Sequence, residues 1–336
     1  MFVATVVLIS LSRIADDVPG ALDVLSDTSW PWLTAAITVE LGCYVLLGFQ
    51  LSRLLGGVRD FGRFFALQLA LVIYGLGTLL PGAPAPGMVL AGRQLSRRGV
   101  EASQSSLAFF LSAWFNVRSF LILAVLTALL ATLRGRVPDD WKMVVIGSAL
   151  FVALGLVLLE ALLKRPVLFD RSGRFVEWVN WRGNGQNARE TALRFHAAAI
   201  SAVASRRDGF VIGSATFGSR LADVICLRFA MLSIGIHVSM GVVLIAYIVS
   251  ALISALPLLP GGLGIIDATI PAVLHYYGAP LDSAVAGTVV WRSATLLLPG
   301  LLGLVSYAWM KARPTPEMER WQSEERRSAL PTDQAP

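Results

Sequence analysis

The sequence predicts an all-α fold: a polytopic membrane protein of eight hydrophobic segments, about six full spans plus two inverted re-entrant helical hairpins. Three observations predict it. The 336 residues are 55% hydrophobic and 15% charged, with a mean hydropathy of +0.67, too little polar residue to coat a water-soluble globule. The apolar residues gather in runs, and a span needs about 20 of them, so the chain holds roughly six to eight passes and excludes a large soluble catalytic domain beside them. The Lys and Arg residues collect in a few short loops, which reads as membrane orientation rather than as a nucleic-acid face.

The elements follow in order. The opening MFVATVVLISLS (residues 1–14 with Arg13 and Ile14) has no basic stretch before it and no small-residue cleavage site, so a cleaved signal peptide is not expected. It is short for a span: either a tilted or incomplete first helix, or the true start lies upstream. Runs of spanning length occupy about 30–50, 104–133, 142–163, 209–231 and 283–310. Residues 64–92 and 241–276 differ. Each runs into a proline-glycine break, Leu79-Leu80-Pro81-Gly82 and Leu258-Leu259-Pro260-Gly261, and continues as an arm too short to cross, which reads as a re-entrant hairpin. Residues 188–204 place Leu193, Ala197, Ile200 and Ala204 at helical spacing among Arg189 and Arg194, a segment for the inner leaflet or a solvated loop helix. The tail 311–336 is rich in Pro, Glu, Arg and Ser and reads as disordered and cytoplasmic.

Charge decides between hairpins and ordinary spans. If both broken stretches enter and leave on one side, the loops 51–63, 93–103 and 164–207 and the tail lie inside and carry 20 of the 28 basic residues. Outside lie Arg13, Arg134, Arg136 and Lys142 among seven acids. A first hairpin that crossed would put the nine-positive loop 164–207 outside, against the positive-inside rule. The two hairpins are also a repeat. An offset of 179 lays one break on the other and sets Gly99-Val100 on Gly278-Ala279 without a gap, while Arg118-Ser119 meets Arg292-Ser293 only if five residues are skipped. Three spans between the hairpins make the second enter from the opposite face, an inverted-topology repeat of the kind that lines a midplane substrate site.

Non-helical backbone at membrane depth is tolerated only where protein buries it or water reaches it, so the breaks mark a cavity. The arms beginning near 84–87 and 261–264 aim free N–H groups and a positive dipole end at the bilayer centre, which suits a phosphate. Pro81, Gly82, Gly261, Gly262 and Gly264 are therefore substrate-binding candidates. Seven ionisable residues fall in membrane segments: Glu40, Arg118, Arg220, Asp223, Arg228, Asp267 and Arg292. Such groups line an interior pathway or pair with one another. Arg220 and Asp223, three apart, read as neutralising each other. Asp267, in the first turn of its half-helix, reads equally as a cap or as a functional group. Arg118 and Arg292 have no acid three or four positions away on their own helices, which makes them the candidate ligands of an anionic headgroup, against an interhelical salt bridge. Cys43 and Cys226 sit in apolar stretches without a CxxC pattern, and His196, His237 and His275 lack metal-ligand spacing; no disulfide, metal or cofactor is expected. No nucleophile-base pair or phosphate loop is present.

The block Pro257-Leu258-Leu259-Pro260-Gly261-Gly262-Leu263-Gly264-Ile265-Ile266-Asp267, followed by Gly278, Ala286, Arg292 and Pro299-Gly300, resembles the signature of the lysylphosphatidylglycerol synthase transmembrane-region family, flippase-like integral membrane proteins. LPGAPAPGMVLAGRQLSRRGV, residues 80–100, resembles that family's first block, and the resemblance runs from about 30 to 310. Two departures stand out. Asp267 replaces the usual Glu, and Ala85-Pro86-Gly87-Met88 stands where a Gly-Glu or Gly-Asp pair is more common. The family can join its lipid-flipping region to a soluble aminoacyl-transferring domain, and no such domain is expected here.

The resemblance and the repeat together imply a flippase-like membrane domain, 1–310, in a bacterial-type cytoplasmic membrane, moving an anionic phospholipid or lipid-linked glycan. Two other readings stay open. One is an integral-membrane transferase with Asp267 or Glu40 as general base. The other is a non-catalytic partner of a separate envelope-lipid enzyme. A membrane lipid is the expected partner and nucleic acid is not.

Overall fold

The computed structural model describes residues 28–55, 62–80, 84–137, 139–163, 206–254 and 264–312. These are helical, with no strand among them. The expectations for residues 1–14, the segment 188–204, the tail 313–336 and the break residues Pro81, Gly82, Gly261 and Gly262 lie outside the described residues.

Helix α1, Trp30–Leu55, opens with Pro31 in its first turn, where a missing N–H costs nothing, and with Trp30 and Trp32 exposed at its end. Aromatic side chains at a helix end suit a membrane–water interface. α2, Arg63–Ala70, runs on without interruption through a π-turn, Leu71–Gly75, and a 3-10 turn, Leu76–Leu79. After the first break come α3, Ala85–Ser96, and α4, Ala102–Leu133. α5, Asp139–Leu163, and α6, Arg206–Ser233, follow. α7, Met240–Ser254, leads to the second break, after which come α8, Ile265–Tyr276, and α9, Leu281–Arg292. A second π-turn, Ser293–Leu297, joins α9 to α10, Leu298–Ala312.

Among the described residues, four helical segments are long and apolar enough to cross a membrane: Trp30–Leu55, Ala102–Leu133, Arg207–Ser233 and Leu281–Ala312. They coincide with four of the runs expected from hydropathy. The fifth, α5, contains a shorter apolar run, Lys142–Leu158. It packs against α4 and leaves Met143, Phe151, Leu154 and Val157 exposed, an apolar surface that needs lipid rather than water around it.

The described segments that follow the two breaks share their form. Each half-helix, α3 and α8, has 12 residues, about 18 Å at 1.5 Å per residue and too short for a 30 Å hydrocarbon layer. Each ends on a glycine in the left-handed region, Gly99 at φ 77° and Gly278 at φ 94°. The next N–H then turns back onto the helix, Val100 to the Leu95 carbonyl at 3.2 Å and Ala279 to the Leu274 carbonyl at 3.0 Å, the bond that closes a Schellman end. The long helical segments Ala102–Leu133 and Leu281–Ala312 start at 102 and 281, again 179 apart.

Two large apolar clusters stand out among the described residues. One gathers α6 to α9 around Leu227, Met231, Ile270, Leu274 and Trp291. The other gathers the end of α1 with α2, α3 and α4 around Leu51, Leu69, Ile73 and Leu95. Small residues let backbones close up there, as packing inside a membrane demands: a Cβ on Gly87 would stand 2.7 Å from the Val72 carbonyl oxygen, and one on Gly48 2.8 Å from Leu67 Cα. α1 and α6 are pinned end to end by Ser29 N–H donating to the Ser233 carbonyl at 2.7 Å, so they run antiparallel.

Candidate functional site

The α8–α9 hairpin builds the first polar centre. The chain enters α8 through Gly264 at φ 80°, a left-handed conformation that Gly reaches without the Cβ penalty. There the Gly264 N–H donates to Asp267 Oδ2 at 2.8 Å, satisfying one of the donors that every helix start leaves without an intrahelical partner. The second carboxylate oxygen, Oδ1, accepts Arg292 Nε at 2.8 Å. The pairing follows from depth. Asp267 lies ten residues before the turn that starts at Tyr277, and Arg292 twelve residues after Pro280, so two antiparallel helices bring them level. The side chains keep 13% exposure for Arg292 and 31% for Asp267, enough for a polar group to reach them. Beyond Arg292 the helix loosens into the π-turn Ser293–Leu297, a feature that often accompanies function.

A second polar centre lies between α1, α4, α6 and α7. Tyr74, in the first π-turn, shares a 2.6 Å hydrogen bond with Ser112 of α4. Asn116 Nδ2 donates to the Tyr74 hydroxyl at 3.2 Å and to the Ser112 carbonyl at 2.9 Å, while its Oδ1 accepts Arg220 Nη2 at 3.3 Å. On the far side of Arg220, the Tyr247 hydroxyl of α7 donates to Asp223 Oδ2 at 2.8 Å, and its ring meets Trp291 edge to face at 6.4 Å. Glu40 of α1, 3% exposed, faces this group with the Cys226 thiol as its hydrogen-bonding neighbour. Glu40 Oε2, Asp223 Oδ1 and Arg220 Nε are buried with no hydrogen-bond partner.

These positions sort the residues singled out in the sequence. Asp267, Gly264 and Arg292 come together; Arg292, without an acid on its own helix, finds one on α8. Asp267 both caps its half-helix and holds Arg292. Arg118 stands half-buried at the middle of α4 and is engaged by neighbours. Arg220 and Asp223 take their hydrogen bonds from other helices, Asn116 and Tyr247, rather than serving only as a local pair. Cys43 and Cys226 are free and buried. Reading charges alone passes over Tyr74, Ser112, Asn116 and Tyr247. The signal was available: each is a polar side chain in an apolar run, and buried polar groups require partners.

Several apolar helices of spanning length, with ionisable side chains along them, define a multi-pass integral membrane protein. The profile of the family described as Lysylphosphatidylglycerol synthase TM region matches residues 2–303, and the chain belongs to that family. It is similar to two UPF0104 membrane proteins of Methanothermobacter thermautotrophicus. One is 27% identical over 323 residues, covering 91% of each chain. The other is 22% identical over 303 residues, covering 86% of this chain and 88% of the relative.

Proposed function

We propose that the protein moves an anionic phospholipid or lipid-linked glycan across the cytoplasmic membrane, the headgroup crossing between two inverted re-entrant hairpins while the acyl chains stay in lipid. The observation that carries this reading is the Asp267–Arg292 pair. It sits at the mouth of a half-helix, level with the interior of a spanning helix and partly exposed. Ionisable side chains in membrane segments pair with one another or line a pathway, and this pair keeps exposure enough for a ligand to reach it. A phosphate can compete with Asp267 for the Arg292 guanidinium, whose planar donors suit phosphate geometry, and the first turn of α8 adds the positive end of a helix dipole. Arg118 joins as the counterpart from the first hairpin. Both oxygens of Asp267 are engaged, which favours a positioned anion over the general base of a transferase.

Purified protein in liposomes carrying fluorescent phosphatidylglycerol tests the proposal. Expected is loss of fluorescence in both leaflets on adding a membrane-impermeant quencher, with the lipid recovered chemically unchanged. A modified lipid in the extract, or an inner leaflet that stays protected, overturns it.

A further inference from the structure

Glu40 is placed deep in the apolar layer by geometry that can be counted. Helices α1 and α6 are antiparallel and joined where Ser29 meets Ser233. Glu40 lies 11 residues from that junction and Asp223 lies 10 from it, about 16 Å and 15 Å at 1.5 Å per residue, near the middle of a hydrocarbon layer about 30 Å thick. The charged and titratable groups facing Glu40 are Cys43 and Tyr44 on its own helix, and Asp223, Arg220 and Cys226 on α6. Around Asp223 stand Tyr247 of α7 and Arg292 of α9, and Tyr74 of the first π-turn also feels Arg220.

The charges in this interior do not balance locally. Arg292 is hydrogen-bonded to Asp267, and Arg220 lies against Asp223 and Tyr247. That leaves Glu40 with a thiol for a hydrogen-bonding neighbour and with Oε2 orphaned. Arg220 also acts on Glu40 but is shared with Asp223, so an ionised Glu40 sets two buried carboxylates against a single guanidinium, which costs more than the same group carrying a proton. A hard cation would need a shell of oxygen ligands; two sulfurs, Cys43 and Cys226, adjoin Glu40 instead, and no set of three metal-binding side chains occurs among the described residues.

We propose that Glu40 is an intramembrane proton-binding site, and that binding and release of this proton drive the lipid movement proposed above, on which the second half of this inference rests. The route of coupling is visible. Loss of the proton adds a negative charge beside Arg220 and Asp223, whose hydrogen bonds lead through Asn116 to Tyr74 on the first broken stretch and through Tyr247 to the second. One charge change therefore acts on both.

Two measurements on the full chain in phosphatidylglycerol-containing liposomes test the two halves separately. Infrared difference spectra between acid and alkaline buffer should show the carbonyl stretch of a protonated carboxylic acid that shifts in D2O. The band should be lost in Glu40→Gln and be restored at a displaced frequency in Glu40→Asp. The same band in Glu40→Gln, or one that follows sodium concentration rather than pH, overturns the proton site whether or not lipid moves. In the transport assay a pH gradient should accelerate movement of fluorescent lipid in the wild type. Glu40→Gln, a neutral mimic of the protonated acid, should lose that acceleration. Movement indifferent to the gradient overturns the coupling while leaving the transport reading intact; a Glu40 band without any lipid movement overturns the transport reading, and the coupling with it, but not the proton site.

Discussion

Arg292 and Asp267, 25 residues apart in sequence, meet at 2.8 Å because α8 and α9 run antiparallel from a short turn and carry the two residues to the same depth. Asp267 is simultaneously the cap of α8, holding the Gly264 N–H. A single carboxylate thus fixes the start of a half-helix and the direction of a guanidinium, and substitutions at either residue act on both.

Removing one member leaves the other charge half-buried and uncompensated. Asp267→Ala and Arg292→Ala should each cost about 1–3 kcal/mol of stability, discounted from the cost of a fully buried pair because both side chains keep some exposure. The double variant should cost less than the sum of the singles. Thermal unfolding monitored by size-exclusion chromatography in detergent measures the cycle, and strict additivity would mean that the pair is not coupled.

Lipid movement should respond differently to conservative changes. Arg292→Gln and Arg118→Gln should abolish movement while leaving inserted, folded protein, since a neutral amide cannot replace a charge-assisted bond to phosphate. Asp267→Glu should be tolerated, and Asp267→Asn, which keeps an acceptor for the Gly264 N–H, should retain part of the rate. Full activity of both arginine variants would remove the headgroup-ligand role.

Orientation can be read by cysteine labelling in a background with Cys43 and Cys226 replaced by Ala. The proposed hairpin arrangement would put the α3–α4 connection inside and the α4–α5 connection outside, so on that proposal a cysteine at Val137 should react with an impermeant maleimide in intact cells and one at Arg97 should react only after permeabilisation. Equal labelling at the two positions would be incompatible with a re-entrant first hairpin.

Glycines should divide by what surrounds them. Gly87→Ala forces a Cβ to within 2.7 Å of the Val72 carbonyl oxygen and 2.8 Å of Ile73 Cα, backbone that cannot swing aside, and should cost about 1–3 kcal/mol as overpacking. Gly147→Ala and Gly155→Ala on α5 meet nothing within 4 Å and should be neutral or stabilising by up to about 1 kcal/mol through helix propensity. Comparing melting temperatures of the three variants checks both halves.

Asn116 joins Tyr74, Ser112 and Arg220. Asn116→Leu keeps much of the volume but strips Arg220 and Tyr74 of a partner, so it should destabilise by about 1–3 kcal/mol. Ser112→Ala, which leaves the Asn116–Arg220 link in place, should cost less in the same assay.

Much of this architecture is legible in the linear sequence. Helix positions follow from apolar run length, and the two half-helices from breaks recurring at one offset, because a chain in lipid must pair its backbone within each segment. Gly99 and Gly278 align across the repeat for the same local reason: a helix end needs a residue that accepts positive φ. Family membership is legible too, in the block from Pro260 to Gly264. The partners of the interior charges are not. Sequence spacing sees three or four residues along one helix, so it couples Arg220 with Asp223 and leaves Arg292 alone. Tertiary packing joins Arg292 to Asp267, Arg220 to Asn116 and Asp223 to Tyr247, and sets Glu40 against Cys226. Those contacts depend on the depth and facing of helices from distant parts of the chain, which hydropathy and charge patterns do not encode.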